Sequence, residues 1–424
     1  MRTTLLPLLL LIALLAVTAC EKEGIETTTH YTRMMPVFAL RGDIHDSIQT
    51  LEPRLMCHPG AIYARGRYLF VGELDEGFHV IDNSDPEAPT PVAFWQVPGS
   101  SQISFVGNRV VMDSYADVVV LSIGNDFSIQ LDDFAPNALA TGGRVGQGHQ
   151  DEVVVGYRME RVSYHYEGPY SPYGCDACDF AGGPRLNAFE SDSDPGGGID
   201  LAGSLSRFAV SGDYLYVLDQ GQIRPFTVGA DSIDVHDAVY VAWDIETAVA
   251  RADYLYLGSA TGMHVLDLSD PSAPLPVANY RHVRGCDPVA VDGDRAVVTV
   301  RDGTDCGSDD ALNTLTVLDI SDPTNPVELA VHSMLHPHGV AILGERVYVC
   351  EGDFGLRSYD FDGDRRQLGQ LVAEHEMTSR DVIALPYTDA PVIFTISEHG
   401  MQQHIESPSG DLRHASQLGG TPCR

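Results

Sequence analysis

Four side chains could act together although they are far apart in the sequence: Glu246, Asp287, His338 and Asp381. The first three stand six residues ahead of Ala252, Gly293 and Gly344, each of which opens a strand-like segment. Asp381 takes the same place when DVIAL is aligned on HGVAI. Equivalent places in a repeating fold reach equivalent points in space. Three carboxylates and an imidazole at one spot repel unless a divalent cation, a water network or a cationic ligand group sits among them, which makes these residues a candidate ligand or cation cluster. The alternative is that each side chain hydrogen-bonds a neighbouring repeat and only closes the structure. The same count lands on Gly60, Ser101 and Ser206 in earlier repeats, where no charge is available.

Other chemical signals are weaker. His336-Pro-His338 puts two imidazoles on one strand face. Counting eight back from the turn glycine, however, aligns His336 with His58, so His336 is expected in a turn role and His338 alone in the ring. The acidic stretches DFDGD (360–364) and ESDSD (190–194) lack the closing Glu and flanking helices of a calcium loop and read as hydrated turns. GxSxG, HExxH, phosphate-loop and dinucleotide motifs do not occur in a fitting strand-to-helix context, so no catalytic residue is assigned and no cofactor is required. A divalent cation in a central channel stays open as an expectation.

The elements that must position these residues repeat. GRYLFVG (66–72), GNRVVMD (107–113), GDYLYVL (212–218), ADYLYLG (252–258), GDRAVVT (293–299) and GERVYVC (344–350) each start on a turn residue and continue in β-branched and aromatic residues, with a looser copy at DAPVIFTI (389–396). A second strand follows each. Three copies run on into IDNSDPEAPTPV, LDLSDPSAPLPV and LDISDPTNPVEL, where Asp-Pro stops the ladder and turns the chain outward. The spacing near 41 residues is that of one four-stranded propeller blade. Seven copies with almost no amphipathic helix predict an all-β, seven-bladed β-propeller, six or eight blades being the alternatives. The one long interval contains VVVGYRMERVSYHY (153–166) and predicts an elongated outer hairpin and an excursion from blade two over about 125–204. Residues 34–40, MMPVFAL, could complete the last blade as an N-terminal outer strand.

With CDPVAVDG (286–293) and HPHGVAI (336–342), the blade phrase resembles the LVIVD-repeat proteins, exported propeller lipoproteins of bacteria. The resemblance covers most of residues 55–406. It implies a surface-anchored propeller and specifies architecture more than activity.

The N-terminus agrees with export. Residues 1–19 carry Arg2 before a short apolar run, too short to span a membrane, and Val17-Thr18-Ala19-Cys20 resembles a lipobox. That likeness implies cleavage before Cys20 and lipid on its thiol, with membrane attachment through the anchor. Glu21, rather than Asp, follows the Cys and points to an outer-membrane address in the cell envelope. The expected order is a signal peptide (1–19), a flexible tether (20–33) and the propeller (34–424). In an oxidising compartment Cys286 is expected to pair with Cys306, and Cys175 with Cys178 could close a tight local bridge. Cys57 and Cys423 could staple the ends of the ring, and Cys350, in VYVCEG, is the candidate buried thiol.

Charge narrows the partners. Sixty acidic against 26 basic residues give a net charge of −34, which repels phosphate backbones and argues against nucleic acid. Two function classes remain. The first is a non-catalytic binding or assembly platform for an envelope protein or glycan. The second is a metal-dependent hydrolase or lyase using the channel-mouth cluster. The lack of a recognisable nucleophile favours the platform.

Overall fold

The computed structural model describes residues 25–139, 151–168, 200–202, 206–230, 232–282, 288–302, 312–387, 390–397 and 399–419. Cys20, Cys175, Cys178, Cys286, Asp287, Cys306 and Cys423 lie outside the described residues, so the lipidation site, both expected local disulfides and one member of the cluster are not placed. The described residues fall into two compact units.

The smaller unit is built on a two-stranded ribbon of β1 (Ile25–Leu40) and β11 (Glu152–Gly168). Thr28 meets His165, His30 meets Ser163 and Arg33 meets Glu160, so the strands run in opposite directions. The segment 153–166 therefore forms a long strand, and its partner among the described residues is β1. Residues 25–33, expected in the tether, belong to β1.

The larger unit begins with α1 (Arg41–Asp46) and β2 (Gln49–Leu51) and then winds into seven sheets. Blade one is β3 (Pro59–Arg65), β4 (Tyr68–Glu73), β5 (Gly77–Asp82) and β6 (Thr90–Gln96); blade two is β7 (Ile103–Val106), β8 (Arg109–Ser114), β9 (Asp117–Ile123) and β10 (Ile129–Ala135). After β12 (Asp200–Ala202), blade three is β13 (Phe208–Ser211), β14 (Tyr214–Asp219) and β15 (Gln222–Val228), edged by β16 (Ile233–Val235) and β17 (Val239–Tyr240). Blade four is β18 (Ile245–Arg251), β19 (Tyr254–Ser259), β20 (Gly262–Asp267) and β21 (Leu275–Arg281). Blade five is β22 (Val289–Asp292), β23 (Arg295–Val300), β24 (Thr314–Asp319) and β25 (Val327–Ser333). Blade six is β26 (Val340–Leu343), β27 (Arg346–Cys350), β28 (Leu356–Phe361) and β29 (Leu368–His375). Blade seven is β30 (Asp381–Pro386), β31 (Pro391–Ser397), β32 (Gly400–Glu406) and β33 (Leu412–Leu418).

Local chemistry explains the repetition. Gly66, Gly107, Gly212, Gly293 and Gly344 turn from the first strand into the second with φ between 56° and 61°. Only glycine takes that region without a Cβ penalty, and Ala252 fills the same place in blade four at φ 50°. The Ser-Asp-Pro phrase is a double side-chain turn. Asp82, Asp267 and Asp319 accept the amides of Ser84, Ser269 and Ser321, and Asp85, Asp270 and Asp322 accept those of Glu87, Ser272 and Thr324.

Seven apolar cores sit one at each blade seam, which is how a ring of half-buried sheets satisfies both faces. The last seam joins Ile383, Phe394 and Met401 of blade seven to Ile62, Leu69 and Ile81 of blade one. Beside it, buried Asn83 donates to the Tyr387 hydroxyl and accepts from Gln403. Blade seven draws all four strands from the C-terminal segment, so residues 34–40 do not complete it. The chain's N-terminal contribution is instead β2, which extends the outer edge of blade one on β6. Cys57 is disulfide-bonded, and Cys350 is a buried thiol outside any disulfide, as the sequence indicates.

Candidate functional site at the channel mouth

Innermost strands begin where buried carboxylates hold them. Glu73, at the end of β4, accepts the backbone amides of Cys57 and His58 at 2.9 and 2.6 Å and the His79 ring at 2.9 Å. Asp113, at the corresponding place in blade two, accepts the amides of Ser101 and Gln102, both at 2.7 Å. Glu351, just past β27, accepts those of Leu335 and His336 at 3.1 and 2.7 Å. All three carboxylates are buried. Burial pushes Glu351 up, while in Glu73 the His79 and amide bonds outweigh burial and leave the group at about 2. These clasps fix the chain that leads into each first strand. They escaped the sequence reading, although their recurrence six or seven residues after the turn glycine is visible in it.

The sequence-derived ring positions do stand at strand heads. Gly60 lies in β3, Ser101 ahead of β7, Ser206 ahead of β13, Glu246 in a bulge of β18, His338 ahead of β26, and Asp381 first in β30. Ser206 is wholly buried and binds its own local backbone through Phe208. The strand heads that carry His338 and Asp381 meet across the seam of blades six and seven through Gly339. Gly339 packs against the Asp381 carboxylate, so closely that any added Cβ would collide with it, and donates its amide to Arg380 O at 2.8 Å.

His338 has a defined environment. Its amide donates to Cys350 O at 2.7 Å and its carbonyl accepts from the Thr299 hydroxyl at 3.1 Å. Its Nε2 lies 3.3 Å from Arg301 Nη1 and 3.2 Å from His336 Nδ1, with the two rings edge to face at 4.9 Å. Arg301 can only donate, so Nε2 of His338 is an acceptor and the ring is neutral with its proton on Nδ1. Burial, then the charges of Arg301, His336 and Arg380, push its pKa down to about 3. The amide of His336 is clasped by Glu351 as that of His58 is by Glu73, which is the expected turn role. Its ring nevertheless reaches His338, so His338 does not stand alone. Gly352 makes room for the pair: at φ 58°, a Cβ there would sit 2.9 Å from His338 Nε2.

This arrangement ties strand heads to their neighbours, and Asp287 lies outside the described residues. The His338 lone pair faces a guanidinium, and among the described residues no group of three or more His, Cys, Asp or Glu is placed to hold a metal ion. Arg301 and Arg380 were not singled out from the sequence, although Arg380 is the immediate neighbour of Asp381. A further feature had no local signal: β12 pairs with β3, adding residues 200–202 to the inner edge of blade one.

The LVIVD repeat matches residues 60–93, 202–222, 240–282 and 310–331. No curated protein matches the chain. Among solved structures, the periplasmic gluconolactonase of Pseudomonas aeruginosa is similar, with a TM-score of 0.55 and 12% identity over 86% of this chain and 98% of that one. A putative 6-phosphogluconolactonase from Bacteroides uniformis gives 0.53 and 11% over 86% and 98%. A computationally designed protein, Ika8, gives 0.51 and 13% over 87% and 91%. At such identities the likeness concerns the fold alone.

Proposed function

Since the chain carries LVIVD repeats on a seven-bladed β-propeller, we propose that it is a non-catalytic binding or assembly platform, held at the cell envelope by lipid on Cys20. The observation that carries this reading is the state of the channel mouth. The carboxylates of Glu73, Asp113 and Glu351 are engaged by backbone amides, and the His338 lone pair faces Arg301 and His336. A metal-assisted hydrolase needs the reverse, an open imidazole or carboxylate beside a cation and a water. The ribbon of β1 and β11 supports the same reading, because Tyr31, Met34, Val37, Phe38, Leu40 and Met159 are exposed on a sheet that has two strands among the described residues. Lipid on one residue anchors such a domain stably once more than one acyl chain is attached.

The test is crosslinking in intact cells that produce the native chain or Cys20→Ser. The platform reading expects one reproducible envelope adduct with the native chain and its loss when Cys20→Ser releases the protein from the membrane. Purified protein with chelator-sensitive hydrolytic turnover, and no adduct in cells, would replace this reading with the enzymatic one.

A further inference from the structure

A groove of about 620 Å³ lies between the end of blade three and the outer strands of blade four, within the range of small-molecule sites. Its walls include two exposed aromatics, Tyr240 and Trp243, with relative exposures of 62% and 65%. Their backbone is not a loose loop. Tyr240 pairs with Gln222 on β15, and the amides of Val241 and Ala242 both donate to Gly221 O, at 2.9 and 3.3 Å. Gly221, at φ 81°, permits this approach, since a Cβ there would strike the Ala242 carbonyl. The rings are thus presented on a fixed rail, which lowers the ordering cost of binding.

The floor is polar and incomplete. Asp244 is 7% exposed; its Oδ2 accepts the Thr261 hydroxyl at 2.6 Å, and its Oδ1 has no partner among the described residues. His264 has Nδ1 3.2 Å from the Asn279 amide nitrogen, so its proton is on Nε2, which likewise has no partner among the described residues. Burial keeps this imidazole below its ordinary pKa and hence neutral. A buried acceptor and a buried donor left unmatched are costly, and each is met by a group of the opposite kind, one that donates to Asp244 Oδ1 and one that accepts from His264 Nε2. A hydroxyl does both. Arg281 also lines the groove and opposes a cationic occupant.

We propose that this groove is a saccharide-binding subsite, in which Trp243 and Tyr240 take the C–H face of a pyranose while Asp244, His264, Asn279 and Arg281 take its hydroxyls. The assignment rests on the platform reading and gives its ligand a chemical class. Aromatic faces accept apolar ring surface, and alternating donors and acceptors suit vicinal hydroxyls better than they suit an apolar peptide.

The chain has its own reporter, because of its two tryptophans Trp95 is buried and Trp243 is exposed. The experiment titrates the full chain with maltotriose, cellotriose, laminaritriose and chitotriose, following tryptophan emission and, in parallel, calorimetry. At least one trisaccharide should quench or blue-shift the emission saturably. Trp243→Ala should abolish the optical change and weaken calorimetric binding by about tenfold, the scale of one aromatic contact, and Asp244→Asn should weaken binding by a similar factor with the optical change retained. Trp243→Ala alters an exposed side chain, and unchanged thermal unfolding will confirm its fold. Absence of binding by all four trisaccharides, equal binding by both variants, or saturable quenching by choline in place of sugar would each overturn the proposal. A groove that fails while the Cys20-dependent adduct in cells persists refutes the saccharide site and leaves the platform standing; loss of both removes the platform as well.

Discussion

Replacing Glu73 by Gln isolates the charge in one clasp. Glu73 is 1% exposed and accepts two backbone amides and the His79 ring. Its pKa falls from 4.5 to about 2 because these bonds outweigh the opposing effect of burial. At about 1.4 kcal/mol per pH unit, ionisation in the folded state is favoured by about 3 kcal/mol. The folded pKa is depressed, so this stability is present in full above about pH 4.5 and drains as the pH falls toward 2, with about 1 kcal/mol left near pH 3. Gln preserves size and one acceptor oxygen but no charge. Glu73→Gln should therefore be about 2–3 kcal/mol less stable than the native chain at pH 7 and only about 1 kcal/mol less stable at pH 3. Urea unfolding followed by emission of Trp95, buried in the core that blade one shares with blade two, measures both gaps. Equal deficits at the two pH values, or none at pH 7, would refute the clasp as an electrostatic device.

Three other substitutions test the frame. His404 is fully buried, both its ring nitrogens lack partners among the described residues, and burial followed by the charges of His375 and His414 pushes its pKa down to about 3. The unfolded chain then binds a proton the fold refuses, and stability drops by about 1.4 kcal/mol per unit as pH falls below about 6.5. His404→Leu should be neutral or stabilising at pH 7 and gain about 2 kcal/mol over the native chain at pH 5, measured by urea midpoints; a constant difference would contradict this. Gly352→Ala should cost about 1–3 kcal/mol in thermal unfolding and displace His338, because the residue has positive φ and its Cβ would press on Nε2. Ala252→Gly should raise stability by about 1 kcal/mol by relieving the left-handed turn; a lowered melting temperature would show that φ 50° there carries no strain.

Much of the architecture was legible because its signals are local. A turn residue followed by β-branched strand residues marked all seven blades, and the three Ser-Asp-Pro phrases mark turns whose side-chain bonds stay within two residues. The pairings of β1 with β11 and of β12 with β3 were not legible, because they join segments more than 100 residues apart with no complementary pattern in either. At the channel mouth, register counting placed Glu246, His338 and Asp381 at strand heads, but the charge beside His338 comes from Arg301 on blade five. The groove was missed for a related reason. Trp243 reads as one more apolar residue in VYVAWDI until the rail on Gly221 turns it outward.

Metal content measured by mass spectrometry, on protein released from its own membranes without chelator, bears most directly on whether the channel mouth binds or catalyses. The platform account predicts less than stoichiometric calcium, manganese and zinc, and no change in content when His338 is replaced by Ala. One equivalent of a divalent cation that is lost in His338→Ala, together with chelator-sensitive turnover, would contradict it.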